Sequence, residues 1–89
     1  MARVFWTDRA RDRFDLLPET VQNHINQHLV FVEQWPEMDP EVMDPSHWRG
    51  HRKFLVRRQW LVLYRVKKGA SPDQDQVYVA EIVPARSNY

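Results

Sequence analysis

The hydrophobic periodicity of this sequence predicts an α+β fold: a β-α-α-β-β-β chain forming a small antiparallel-rich sheet with two helices packed on one face. Apolar residues recur at helical spacing between residues 8 and 35, strand-like runs occupy 52–67 and 77–83, and a proline-rich segment, 36–47, parts the two regions. Strands that follow one another without intervening helices favour antiparallel pairing, and the apolar face they share must be covered by the helices.

Residues 2–7, ARVFWT, are rich enough in β-branched and aromatic side chains for a first strand. Thr7 or Asp8 then serves as a helix N-cap, because a short side-chain oxygen accepts from the orphan backbone N–H groups of the first turn. The first helix, about 8–17, gathers Ala10, Phe14 and Leu17 on one face, and Pro18 ends it or opens the next. Over 19–35, Val21, Ile25, Leu29 and Val32 recur at intervals of four, four and three, with Trp35 three further on, which marks the principal core helix. Glu19 suits the positive end of its dipole, and Pro36 blocks its continuation.

The segment PEMDPEVMDPSH, with three prolines and four acids, reads as a loop. After it, RKFLVRR (52–58) and WLVLYRVK (60–67) form a hairpin with its turn near Arg58 and Gln59, although no Asn-Gly or Asp-Gly pair stands there. Apolar side chains of both parities in 60–67 (Trp60, Val62, Tyr64, Val66; Leu61, Leu63) predict a central strand partly covered on both faces. KGASPDQDQ (68–76) is turn-rich, Val77 to Val83 is the last strand, and PARSNY is a tail.

A chain of 89 residues supports one domain, 1–89, with a modest core, since a domain this small buries only about 60% of its unfolded surface. Ordinary apolar (43%) and charged (28%) fractions argue against disorder. The absence of cysteine removes disulfide and thiolate-metal chemistry and suits a reducing cytosol. Charges every few residues near the N-terminus leave no place for a signal peptide or membrane span, so the expectation is a cytoplasmic protein with no membrane association.

The net charge of +1 conceals an asymmetry. Residues 1–44 hold four basic and nine acidic side chains, whereas 45–72 hold eight basic ones (Arg49, Arg52, Lys53, Arg57, Arg58, Arg65, Lys67, Lys68), add His47 and His51, and contain no acid. Such a block sets up a local positive field that attracts polyanions, the alternative being a solvated strand face.

Several stretches together resemble the RelE/ParE superfamily of type II toxin–antitoxin toxins over nearly the whole length. They are VFWTDRA at the start of the first helix, the break at Leu17-Pro18, the helix end at Trp35-Pro36, and RKFLVRRQWLVLYRV followed by VYVAEIVPAR. The resemblance implies a toxin that inhibits growth and is held by a cognate antitoxin, with no cofactor. It leaves the target open between ribosome-bound mRNA, which one branch cleaves, and DNA gyrase, which the other inhibits. The short helical region is similar to the endonucleases. Leu61, however, stands where those enzymes usually carry an arginine on the scissile phosphate, and in this it resembles the gyrase branch. A degenerate member that binds antitoxin without toxicity is the third alternative.

RNA cleavage by a ribose 2′-hydroxyl needs a proton acceptor, cations for the charge building on phosphorus, and a proton donor for the leaving oxygen. Arginine suits the middle role, and Arg52, Arg57 and Arg86 are the candidate phosphate contacts, with Arg58 next if the strand register shifts by one. Proton exchange falls to Lys53, His47, His51, Glu81 or Tyr89. By resemblance, Lys53 lies in the family's catalytic-lysine region and Tyr89 corresponds to a C-terminal tyrosine near the substrate. Lys53, Arg57, Arg86 and Tyr89 are thus the catalytic set, and Arg49, Arg52, Arg58, Lys67 and Lys68 the target-binding set.

A gyrase inhibitor would need only a fitting cationic and aromatic surface, which the same arginines and Trp60 supply. Of four tryptophans, Trp6 and Trp35 are expected in the core, and an exposed one would mark the antitoxin groove. The acids of 37–44 have a simpler alternative role, shielding the chain's own basic patch. His24 and His28 stand four apart on the second helix without an intervening Glu, and no metal site is expected.

Overall fold

The computed structural model describes residues 1–44 and 46–86. Strand β1 (Arg3–Trp6) leads into helix α1 (Asp8–Asp15), helix α2 (Glu19–Gln34), a long loop, the strands β2 (Arg52–Val56) and β3 (Trp60–Lys67), and finally β4 (Gln76–Pro84). The four strands form one sheet in the order β1-β4-β3-β2. Both β3 pairings are antiparallel, while β1 lies parallel to β4, so the first strand closes the sheet at the side away from the hairpin.

Thr7 explains how β1 turns into α1. Its Oγ1 accepts from the Ala10 N–H at 3.1 Å and donates to the Ala80 carbonyl at 2.9 Å, capping the helix and tying it to β4 at once. Ala80 is the extra residue of a bulge, since Leu63 pairs with Glu81 but Tyr64 with Val79.

Ala10 and Phe14 of α1 and Val21, Ile25, Leu29 and Val32 of α2 are buried, as their spacing predicts. They pack against Phe54, Val56, Val62, Tyr64, Val77, Val79 and Ile82 on one face of the sheet. A smaller cluster of Val42, Leu61 and Leu63, flanked by Trp48 and Val83, lies on the opposite face of β3 under the loop. β3 is therefore central and covered on both faces.

Trp35 departs from expectation: it is 62% exposed rather than in the core. As the residue that ends α2, with φ −132°, it leaves the helical register that its spacing implies. The hairpin turn also moves, to Arg57 and Arg58, whose φ values of 53° and 57° lie in the left-handed region. The Gln59 N–H closes it on the Val56 carbonyl at 3.1 Å.

Candidate functional site

The hairpin turn and the end of β4 meet at one end of the sheet. Trp60 pairs with Pro84, and the Ala85 N–H donates to the Gln59 carbonyl at 2.9 Å, which brings Arg86 beside the Arg57-Arg58 turn. All three arginines are exposed, and none makes a salt bridge among the described residues. Two adjacent non-glycine residues in left-handed backbone are unusual; each costs about 1–2 kcal/mol, and such strain tends to persist where function requires it.

Lys53 lies opposite Leu63 on β2, its side chain partly buried. It lines a cavity of about 550 Å³ with Leu55, Leu61, Ala85, His28 and Asp39. The cavity thus joins the predicted lysine to the residue preceding Arg86, but Leu61, 5% exposed, presents an apolar wall where the resemblance places an arginine in the endonucleases. A second, smaller cleft places Arg57 with His24, His28, Phe31 and Leu55, between α2 and the edge strand β2. Arg49 is exposed in the turn before Gly50, and Lys67 is exposed at the far end of β3. Tyr89 lies outside the described residues.

Arg52 and Lys68 do not stand free for a target. Arg52 Nη1 donates to the Asp39 carbonyl at 2.7 Å and Nη2 to Glu41 Oε1 at 3.4 Å, while Lys68 Nζ meets Glu37 at 3.0 Å and Asp75 at 3.3 Å. The loop acids therefore neutralise these two cations. The backbone reinforces this docking, for Lys53 N–H donates to the Pro40 carbonyl and Glu41 forms a bridge with Arg52. The loop thereby covers the start of β2, the exposed edge of the sheet.

Sequence reasoning did not find the buried network beneath that loop. Asp39, 8% exposed, accepts from the Tyr64 hydroxyl at 2.9 Å and pairs with His28 Nε2 at 2.8 Å. His28 stacks on Phe54 with ring centroids 3.9 Å apart. Burial first, and then the Asp39 carboxylate, push the Tyr64 hydroxyl well above its ordinary value, so it remains a donor. The one signal in the sequence was an acid in a proline-rich loop, which gives no hint of a histidine eleven residues earlier as its partner. His28, oriented by Asp39, and Lys53 both line the larger cavity. Among the described residues no group of three His, Asp or Glu is placed to hold a metal.

No protein-family model and no curated protein sequence matches the chain. Solved structures do. The chain superposes on the intact E. coli RelBE toxin–antitoxin complex with a TM-score of 0.77 at 18% identity, covering 98% of this chain and 100% of that one. The chain has the fold of the RelE/ParE toxins. The isolated E. coli RelE toxin gives 0.76 at 18% identity, covering 99% and 88% of the two chains. The YoeB/ParE toxin from Agrobacterium tumefaciens gives 0.74 at 13% identity, covering 90% and 94%. The two helices and the four-stranded mixed sheet are the elements of this RelE-like fold. No helix among the described residues is long and apolar enough to cross a membrane.

Proposed function

We propose that the chain is the toxin of a type II toxin–antitoxin pair and that it arrests growth by cleaving mRNA on the ribosome. The observation that carries this reading is the cationic end of the sheet. Arg57 and Arg58 occupy a strained turn, and Arg86 follows Ala85, whose N–H is tied to the Gln59 carbonyl beside that turn. Three exposed guanidinium groups without acidic partners among the described residues suit phosphate oxygens better than any other common ligand. Lys53 and His28 in the adjoining cavity provide proton exchange.

The antitoxin has a surface to cover as well. Val30, Phe31, Trp35 and Met38 are exposed in and just after the last turns of α2, an apolar strip of the kind that a partner buries. The E. coli structure with the same fold is a toxin–antitoxin complex, which supports such a partner here.

Induced expression in growing cells, followed by mapping of RNA ends, tests the proposal. New ends within translated messages are expected, lost when Arg57→Ala and Arg86→Ala are combined. Growth arrest with intact transcripts would sink it. Leu61 favours a second reading, inhibition of DNA gyrase without cleavage, because its buried side chain supplies no phosphate contact. That reading predicts loss of supercoiling by purified gyrase with excess toxin, and undiminished supercoiling rejects it.

A further inference from the structure

The sheet face turned away from the helices carries a second arrangement, at the end opposite the hairpin turn. Phe5 pairs with Tyr78, and Tyr78 with Arg65, so the three side chains form one cross-strand row over β1, β4 and β3. Their neighbours in sequence, Val4, Val77, Val79 and Val66, pack into the main core, which places this row on the other face. Phe5 and Tyr78 stack with centroids 5.4 Å apart and planes 21° from parallel, and Phe5 remains 38% exposed. Since β1 is an edge strand, no further strand among the described residues covers Phe5.

Beside this stack lies a cavity of about 420 Å³ lined by Tyr78, Arg65, Lys67, His51, Thr7 and Ala80. Its size falls within the roughly 300–1,000 Å³ of small-molecule sites. Arg65 and Lys67 are exposed and make no salt bridge among the described residues, while the acids of β4 and its approach are occupied, Asp75 by Lys68 and Glu81 by Arg9. His51 adds no positive charge to this cavity at physiological pH, because burial first, and then the nearby Arg65 charge, lower its pKa below the ordinary 6.5.

We infer that this face binds single-stranded RNA, a base extending the Phe5–Tyr78 stack and phosphates meeting Arg65 and Lys67. Flat aromatic faces beside unpaired cations are the elements that recognise unpaired nucleotides, whereas an acidic peptide would use the cations and leave the rings idle. The site is distinct from the hairpin turn: Arg65 lies five residues along β3 from Trp60, roughly 16 Å by strand rise. The choice of RNA rests on the proposed action on mRNA, and the face would hold the message while the cationic end acts on it.

Fluorescence anisotropy of the full chain with a labelled oligouridylate tests this. Tyr78→Ala is expected to weaken binding about 5- to 150-fold, and Tyr78→Phe to leave it within about twofold. Arg65→Ala, at an exposed position, should reduce the slope of log affinity against log salt by about 0.7. Binding by folded Tyr78→Ala and Arg65→Ala variants as tight as wild type overturns the inference, as does a preference for the matching DNA strand or for duplex RNA. The two readings fail separately. Weakened oligonucleotide binding by Tyr78→Ala, with transcripts intact in cells, rejects cleavage and upholds this face; cut transcripts with unweakened binding reject this face alone.

Discussion

The hairpin turn offers a perturbation that should move stability and function in opposite directions. Arg57 and Arg58 hold φ at 53° and 57°, a region that disfavours residues with a Cβ by about 1–2 kcal/mol each. Asn-Gly is the pair best suited to a turn with both central residues left-handed. In the double variant Arg57→Asn/Arg58→Gly the relief at the two positions is about 2–4 kcal/mol, reduced by about 1 kcal/mol for the greater unfolded-state freedom of glycine and further because asparagine relieves strain only in part. A net gain of about 1–2 kcal/mol raises Tm by roughly 4–16 °C in a domain of this size. Growth inhibition should fall at the same time, because two of the three cations at that end are gone. Thermal unfolding followed by circular dichroism, beside an induced-growth assay, reads both. A variant no more stable than wild type refutes the strain argument, and one equally toxic refutes the placement of the phosphate contacts.

Three further substitutions test the supports of the site. Tyr64→Phe removes the hydroxyl that donates to Asp39 and should cost about 1–3 kcal/mol in urea unfolding; a loss below about 0.5 kcal/mol would mean that the network does not hold the loop. The Gly69 backbone N–H, aided by Lys68, holds the Asp75 carboxyl below its ordinary 3.8. Its contribution is therefore fully present above about pH 4 and is lost as pH falls through the lower folded value, so Asp75→Asn should be less stable at pH 7 and converge on wild type in acid. Parallel stability curves across that range would contradict the assignment. His51, lowered by burial and by Arg65, should titrate by NMR below 6.5 and move upward in Arg65→Ala. Because the folded state disfavours its protonated form, stability from this group is intact above 6.5 and declines as pH falls below it. A midpoint at or above 6.5 would exclude the predicted environment.

Helix and strand order was legible because each rests on a local period: Val21, Ile25, Leu29 and Val32 all reach the core, and Leu61 and Leu63 find cover opposite Val62 and Tyr64. The parallel pairing of β1 with β4 was not, since strand partners distant in sequence leave no local period behind. Arg57 and Arg58 concealed the turn, because its left-handed backbone lacks the glycine or asparagine that normally announces it. The basic block was visible as charge, but composition cannot tell Arg52, paired with Glu37 and Glu41, from Arg86, which no acid meets among the described residues. Tyr64 reads as core by spacing, and its partnership with Asp39 and His28 depends on how a proline-rich loop folds back across the sheet edge.

Three arginines at one end of the sheet are proposed to act on the phosphates of translated mRNA. A purified translation system programmed with one message, incubated with the wild-type chain and then mapped by primer extension, tests it most directly. New 5′ ends within the reading frame are expected, requiring ribosomes and disappearing with the Arg57→Ala/Arg86→Ala variant. Full-length message under conditions where the same preparation arrests growth would contradict it.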